Sequence, residues 1–254
     1  MTIYLFINCC TTAQVESPNS DFKSNQCNSI EVISYSYGDL SCMGTLVGKN
    51  TILTAAHCID PWGIRTKTIT ITNKKNIDSS DSYTHKTNKT GQFGAFTPLK
   101  VFIHPQYKKQ TDYYGRAYDL AIILLQANSK NQKEQLKPQC PRMNFTSKKL
   151  NPGISMDTIT FTQQKVKILQ NTAQSKYFID LLPADNTVHL FSGFCPGDSG
   201  TPLWIKKNDI NIIAILSDFY GKPVSSKQHC SEGGRFVKLD QIWLNMIIRK
   251  INLL

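Results

Sequence analysis

Short apolar runs separated by glycine, proline and asparagine recur along most of the chain. Runs of this length, rich in β-branched and aromatic residues, predict β-strands. Many short strands with turn residues between them favour an all-β sandwich or barrel over alternating βαβ units. The predicted strands are Ile30–Tyr35, Gly44–Val47, Thr51–Thr54, Thr68–Thr72, Leu99–Ile103, Leu120–Leu125, Thr158–Thr162, Tyr177–Leu182, Pro202–Ile205, Asn211–Leu216 and Gly234–Leu239. A polar stretch from Asn73 to Gly91 predicts a long loop.

The C-terminal residues have a different pattern. Asp240 is a candidate N-cap, and the apolar residues after it recur at helical spacing, namely Ile242, Trp243, Met246, Ile247 and Ile251. We therefore expect a helix over residues 240–254 that packs on the protein. A basic membrane-binding helix, using Arg249 and Lys250, is the alternative.

Length and charge exclude several classes of protein. The chain has 254 residues, enough for one large all-β unit or two compact domains. Its net charge of +11 is spread over many lysine-rich turns rather than gathered in one basic block. A nucleic-acid-binding face needs clustered charge with interleaved aromatic residues, so we expect no nucleic-acid partner. No stretch reaches the ~20 apolar residues of a membrane span.

The eight cysteines favour disulfides over a metal site. Zinc sites use closely spaced ligand pairs, and the sequence has no C-x2-C pair, so we predict no metal. An even number of cysteines indicates an oxidising compartment. Cys42 precedes Cys58 by sixteen residues across the predicted hairpin. A bridge between them would hold the strand end that carries the neighbouring His57.

The N-terminal residues resemble the end of a signal peptide. Thr2–Ile7 is apolar, and Ala13 follows at a plausible cleavage position, so residues 1–13 are predicted to be a short signal peptide. A lipid anchor on Cys9 is the alternative. Either reading places the protein outside the cytoplasm, as a secreted or periplasmic protein.

Three segments carry candidate catalytic residues. In Thr54–Cys58, small residues flank His57, which could act as a general base facing a cleft. Asp119 immediately precedes an apolar run that should draw it into the interior. A buried carboxylate needs a hydrogen-bonded partner, and the Nδ1–H of a histidine is a suitable one.

The third segment is Phe194–Trp204. Gly197 and Gly200 permit a tight turn that presents the Ser199 hydroxyl outward. In such a turn the N–H groups of Gly197 and Ser199 converge as an oxyanion hole.

These segments together resemble the signature segments of the chymotrypsin/trypsin family of serine peptidases, in the family's His…Asp…Ser order. The resemblance covers roughly residues 30–248. It implies two packed six-stranded antiparallel β-barrels, over residues 28–137 and 138–239, with a C-terminal α-helix. It also implies disulfides Cys195–Cys230 and Cys27–Cys140, although Cys9 or Cys10 could pair with Cys140 instead.

The family resemblance implies acyl transfer by a triad of His57, Asp119 and Ser199. We therefore expect a secreted, monomeric endopeptidase that acts on polypeptides and is open to protein inhibitors. No cofactor is required by this chemistry.

The primary substrate pocket departs from the trypsin pattern. The resemblance assigns Gly193, Phe194, Ser217, Asp218, Phe219 and Gly234 to this pocket. Gly193 stands where an acidic residue would select arginine or lysine. We therefore predict a neutral side chain of small to medium size.

The activation segment also departs from the family. Family zymogens are cut before an Ile-Val-Gly-Gly-like segment, whose new amino terminus pairs with the aspartate before the nucleophile, here Asp198. No such segment precedes Ile30. Another partner for Asp198, or an amino terminus from the Val15 region, remains open.

A non-catalytic homologue that keeps the fold as a binding or regulatory module is the alternative function. An α/β-hydrolase esterase fits poorly, because in that class the serine comes first in chain order and strands alternate with helices.

Overall fold

The computed structural model describes residues 29–37, 40–59, 69–78, 94–107, 117–127, 129–130, 155–159, 166–174, 177–183, 193–206, 210–225 and 230–253. Within them it contains strands β1 (Ser29–Tyr37), β2 (Leu40–Gly48), β3 (Thr51–Thr54), β4 (Ile69–Asp78), β5 (Gly94–Ile103), β6 (Ala121–Gln126), β7 (Ser155–Ile159), β8 (Val166–Gln174), β9 (Phe178–Pro183), β10 (Pro202–Lys206), β11 (Ile210–Ser225) and β12 (Cys230–Lys238). A short 3₁₀ helix covers Ala56–Cys58, and helix α1 covers Gln241–Asn252.

The strands form two closed antiparallel barrels. The first has the order β1-β2-β3-β6-β5-β4 and closes where β1 pairs with β4. The second has the order β10-β11-β12-β9-β8-β7 and closes where β10 pairs with β7. Closure removes the exposed sheet edges that an open antiparallel sheet would present.

The described residues form two hydrophobic clusters, of which the larger spans both barrels and the C-terminal helix and the smaller lies in the second barrel. The larger cluster of buried residues contains Ile122 from the first barrel, Ile215 from the second and Leu244 from α1, all fully buried. Five consecutive residues of β6, from Ala121 to Leu125, are buried. This explains the nearly continuous apolar run after Asp119, because a strand covered on both faces does not alternate with polar residues.

Helix α1 is docked on the protein, as the sequence predicts. Asp240 is its N-cap, and Oδ1 of Asp240 accepts a 3.0 Å hydrogen bond from the Trp243 N–H. Trp243, Leu244 and Ile247 are buried beneath the helix. Among the described residues, no helix is both long enough and apolar enough to cross a membrane.

Several strands differ from the sequence-based expectation: β5 begins at Gly94 rather than Leu99, β7 begins at Ser155 rather than Thr158, and β11 continues past Leu216 to Ser225. The predicted loop from Asn73 to Gly91 is wrong in its first part, because β4 continues to Asp78 and pairs Lys75 with Val32. Strand β8 was not predicted. The end of β4 is polar, and β8 is apolar mainly at its beginning, at Val166, Ile168 and Leu169, so pairing with neighbouring strands rather than a long apolar pattern defines both segments. Residues 79–91 lie outside the described part of the chain.

Candidate active site

His57 lies in the 3₁₀ helix that follows β3. The Cys42–Cys58 disulfide links β2 to this helix, with a sulfur–sulfur distance of 2.06 Å. Cys58 is buried, whereas the His57 side chain is 22% exposed. The bridge therefore fixes the backbone beside His57 and leaves the imidazole partly exposed to solvent.

Asp119 is fully buried and bonds to His57 through both carboxylate oxygens. Oδ1 accepts the His57 backbone N–H at 2.7 Å, and Oδ2 lies 2.6 Å from Nδ1 of the imidazole. An ionised carboxylate can only accept, so Nδ1 carries the proton and Nε2 keeps a free lone pair. This is the tautomer a general base needs.

The turn that carries Asp119 is unusually tight. Tyr118 has φ 59°, in the left-handed region, and its carbonyl accepts the Leu120 N–H at 2.7 Å. The Tyr118 ring stacks on His104 at 4.5 Å between centroids. This packing compensates for a backbone conformation that costs about 1–3 kcal/mol in a non-glycine residue. No local pattern in the sequence indicated it.

His104 connects this turn to α1. Its Nδ1 accepts the Gln106 N–H, and its Nε2 lies 3.2 Å from Oδ2 of Asp240, the helix N-cap. Because Nδ1 accepts, Nε2 is the nitrogen that donates. Burial lowers the pKa of His104, and the hydrogen bond to Asp240 opposes that shift.

Ser199 lies in the loop before β10, which bonds to the first barrel through backbone atoms. The Ser199 carbonyl accepts the Met43 N–H at 2.7 Å. It also lies 3.8 Å from Sγ of Cys58, which is 3.9 Å from Nε2 of His57. The loop carrying the predicted nucleophile thus reaches the immediate surroundings of the His57 ring.

Gly200 lies directly against residues of the first barrel. Its φ is +87°, and a Cβ there would lie 2.0 Å from the Met43 carbonyl oxygen and 2.5 Å from Oγ1 of Thr54. No side chain fits in that space.

Thr54 Oγ1 donates to the Met43 carbonyl at 2.7 Å. The same oxygen therefore accepts the hydrogen bond from the Tyr35 hydroxyl, at 2.9 Å. Burial raises the pKa of Tyr35, which keeps this hydroxyl protonated.

The loop before Ser199 is held by its own backbone and by a second disulfide. Cys195 is bonded to Cys230 of β12 at 2.02 Å. Asp198 is fully buried, and its Oδ2 accepts the Cys195 N–H at 2.9 Å. Gly197 has φ +101°, so it takes the conformation expected from the sequence. The Cys195 N–H, in the same loop, is therefore a hydrogen-bond partner of the Asp198 carboxylate.

Ser217, predicted as a pocket residue, contacts the His57–Asp119 pair. Its Oγ donates a 2.6 Å hydrogen bond to Oδ2 of Asp119. The sequence analysis assigned Ser217 only to the pocket, because the two residues are 98 positions apart and belong to different barrels. The two neighbouring pocket residues bond to each other, with Oδ1 of Asp218 accepting the Phe219 N–H at 2.8 Å.

The other predicted pocket residues are buried near one another. Gly193 has φ 75° and is buried, and Phe194 is fully buried. The Phe194 ring contacts Phe236 edge-on at 5.6 Å, close to Gly234. Phe194 therefore belongs to the core of the second barrel as well as to the predicted pocket.

Two predicted disulfide partners, Cys27 and Cys140, lie outside the described residues, as do Cys9 and Cys10. Within the described ranges no group of three or more histidine, cysteine or acidic side chains is placed to hold a metal ion.

Two antiparallel barrels with a histidine–aspartate pair between them define a chymotrypsin-like protein. The chain belongs to the trypsin family, because the family model described as trypsin matches residues 22–238. The disulfides and the His57–Asp119 pair agree with that assignment.

Named relatives include a serine protease and solved structures of the same fold. Serine protease Hayan of Drosophila melanogaster is 24% identical over 223 residues, which are 71% of this chain and 31% of that protein. The match thus spans about a third of the relative's length. Human heparin binding protein has a TM-score of 0.57 at 15% identity, covering 86% of this chain and 91% of that one. A Glu endopeptidase has a TM-score of 0.53 at 15% identity, covering 89% and 97% respectively. At these identities the two structures share the fold alone.

Proposed function

We propose that this chain is a secreted serine endopeptidase that hydrolyses peptide bonds through Ser199, His57 and Asp119. The observation that carries the proposal is the orientation of His57. Asp119 holds the backbone and Nδ1 of that residue with hydrogen bonds of 2.7 and 2.6 Å. This arrangement leaves Nε2 available as the base, on a side chain that is 22% exposed and lies beside the Ser199 loop.

The proposed reaction has two half-reactions. Ser199 Oγ attacks the scissile carbonyl carbon while His57 Nε2 takes the hydroxyl proton. The N–H groups of Gly197 and Ser199 bind the resulting oxyanion. The tetrahedral intermediate then collapses, the C–N bond breaks, and His57 returns the proton to the leaving amine. Water hydrolyses the acyl-enzyme by the same route, with Asp119 ionised throughout.

Secretion is proposed from the disulfides. Both described bridges are in regions close to the site, and such bonds persist in oxidising compartments. The predicted signal peptide lies outside the described residues. We also propose that the enzyme does not select arginine or lysine, because the base position of the predicted pocket is Gly193, which brings no counter-charge.

A non-catalytic binding module is the second candidate. The fold is shared with a protein whose name describes heparin binding, and the net charge of +11 would favour anionic partners. The two candidates predict opposite results with a reagent that reacts only with an activated serine.

The test is to treat the purified, mature protein with a fluorophosphonate probe and to locate the adduct by mass spectrometry. A peptidase should be labelled at Ser199, and labelling should be lost in both Ser199→Ala and His57→Ala. The Thr51→Val variant, altered at the far end of β3 from His57, is the control and should label normally. Folded wild-type protein that shows no labelling would favour the binding module.

A further inference from the structure

Helix α1 carries large apolar side chains on the face turned away from the protein. Its inner face packs into the larger hydrophobic cluster through three buried residues, Trp243, Leu244 and Ile247. On the outer face the exposed fractions are 85% for Ile242, 54% for Met246 and 88% for Leu253. A helix that packs on a protein in water normally has polar residues on its outer face, so the outer face of α1 is unusually apolar.

The three exposed residues form one stripe along the helix. Successive residues of an α-helix are turned by about 100°, so Ile242, Met246 and Leu253 lie within a sector about 40° wide. Leu253 belongs to the stripe because it keeps helical backbone angles, with φ −93° and ψ −5°. The stripe is roughly 17 Å long at the helical rise of 1.5 Å per residue. Single exposed apolar residues are common on proteins, whereas a contiguous apolar patch marks a surface that binds another molecule or a membrane.

Two cations border the stripe, one on each side. By the same helical geometry, Arg249 lies about 20° from Ile242 on one side, and Lys250 lies about 40° from Met246 on the other. Both cations are exposed, and neither has an ion-pair partner among the described residues. The helix sequence contains no aspartate or glutamate. The outer face of α1 is therefore cationic as well as apolar.

An anionic lipid surface matches this combination better than a protein or a soluble polyanion does. A stable protein interface buries about 800 Å² on each partner around closely fitted anchor residues, and a stripe one helix wide offers much less. A soluble polyanion would pair with the cations but would leave the apolar side chains in water. At a lipid surface the apolar side chains enter the boundary between headgroups and acyl chains, and the long stems of arginine and lysine let their charges reach the phosphates.

We propose that α1 binds the surface of anionic membranes through its outer face. The helix lies parallel to the surface, with Ile242, Met246 and Leu253 inserted among the headgroups and with Arg249 and Lys250 on the lipid phosphates. The inner face stays packed on the protein, so binding requires no undocking of the helix. It requires no catalysis either.

The test measures co-sedimentation of the purified, mature protein with lipid vesicles. One set of vesicles is phosphatidylcholine alone, and the other contains about 30% phosphatidylserine, which supplies the anionic surface. The partition coefficient should be at least ~10-fold higher on the anionic vesicles and should fall as salt is added, because salt screens the attraction of the cations. Ser199→Ala should bind as the wild type does, so the result is independent of the proposed peptidase function.

A charge control is needed because the net charge of +11 will itself attract the protein to anionic lipid. The double variant Arg249→Glu/Lys250→Glu is therefore compared with Lys49→Glu/Lys100→Glu. The two lysines of the control are also exposed but lie outside α1, and both double variants change the net charge equally. The helix variant should bind at least ~10-fold more weakly than the control.

The apolar part of the face is tested by Ile242→Ser/Met246→Ser. Its control is Leu99→Ser, because Leu99 is 58% exposed but lies on β5. The helix variant should lose at least ~10-fold in binding, since each buried methylene adds to the attraction, and the control should bind as the wild type does. All of these positions are exposed, so the urea midpoints of the variants should match that of the wild type.

Loss of binding in both helix variants, with both controls close to the wild type, would support the proposal. Equal losses in the two charge variants would overturn it, because net charge alone would then explain binding. A loss in the charge variant but not in the serine variant would assign the face to a soluble polyanion. Equal binding to both vesicle types, or to neither, would also contradict it. Self-association that the serine variant abolishes, without vesicle binding, would assign the stripe to contact between two copies of this chain.

Discussion

Ser217 donates a 2.6 Å hydrogen bond to Oδ2 of Asp119, the same oxygen that lies 2.6 Å from Nδ1 of His57. Asp119 belongs to the first barrel and Ser217 to strand β11 of the second. The carboxylate is fully buried, and hydrogen bonds from donors on both barrels compensate for its desolvation. The orientation of His57 therefore depends on how the two barrels are packed together.

Replacing Ser217 with alanine should weaken catalysis without unfolding the protein. A hydrogen bond to a charged group contributes about 1.5–3 kcal/mol, so we expect kcat to fall by roughly 10- to 100-fold. KM should change little because the variant keeps the backbone of the pocket wall. Steady-state kinetics on an alanine-containing peptide measures both constants.

The control for this prediction is Thr51→Val. Thr51 Oγ1 donates to the Lys49 carbonyl at 2.9 Å, so the variant also loses one side-chain hydrogen bond, but in a turn of the first barrel. Its kcat should equal that of the wild type. A Ser217→Ala enzyme as fast as this control would show that the bond to Asp119 has no catalytic importance.

Replacing Gly200 with alanine should lower the free energy of unfolding much more than replacing Gly197 with alanine. At Gly200 the new Cβ would lie 2.0 Å from the Met43 carbonyl oxygen, so Gly200→Ala should lose at least ~4 kcal/mol of unfolding free energy or fail to fold. At Gly197 the nearest atom would be 3.8 Å away, which leaves only backbone strain of about 1–3 kcal/mol. Urea unfolding followed by tryptophan fluorescence compares the two. Equal losses would contradict the close approach at Gly200.

The disulfide that closes the longer loop should stabilise the protein more, because the entropy of loop closure grows with the logarithm of loop length. Cys195 and Cys230 are separated by 35 residues, and Cys42 and Cys58 by 16. In the chain-entropy account, replacing each pair with alanine should cost about 4 and about 3 kcal/mol respectively. Unfolding free energies of the two double variants test this order. A larger loss from the Cys42–Cys58 pair would mean that the bridge beside His57 stabilises the native state directly.

Acid should destabilise the protein partly through His104. Burial lowers the folded-state pKa of this residue below the unfolded value of 6.5. The unfolded chain therefore binds a proton at a higher pH than the folded protein does. The stability that neutral His104 contributes is present above about pH 6.5 and is lost as the pH falls below it.

The corresponding measurement compares unfolding free energies of the wild type and His104→Gln between pH 8 and pH 5. The wild type should lose more stability over this range than the variant, in which the other titrating groups are retained. Parallel pH profiles would show that the protonation of His104 is not linked to folding.

The sequence predicts His57 and Ser199 as site residues because each lies in a dense local motif, and their catalytic roles stay predictions. Asp119 was supported by the apolar run after it, which the structure explains as the doubly covered strand β6. The strand pattern predicted the fold class, since an alternating or continuous apolar run is a local property. Each of these features is determined by residues that are close together in the sequence, so a local pattern can indicate it.

The contacts that complete the site are between distant residues, and no local pattern indicates them. Ser217 bonds to Asp119 across 98 positions, and the Tyr35 hydroxyl reaches Thr54 inside the first barrel. Burial of Phe194 likewise follows from the packing of β12 beneath it. The end of β4 and the second half of β8 are mostly polar, so their pairing partners define them as strands.

The most direct test of the account is hydrolysis itself. The purified mature protein should cleave an alanine-containing peptide with a kcat/KM that falls by at least ~10⁴-fold in Ser199→Ala, because removal of one member of a triad abolishes the concerted proton transfer. Circular dichroism should show both proteins equally folded. Cleavage that persists undiminished in Ser199→Ala, or no cleavage by the folded wild type, would contradict the assignment of this chain as a serine endopeptidase.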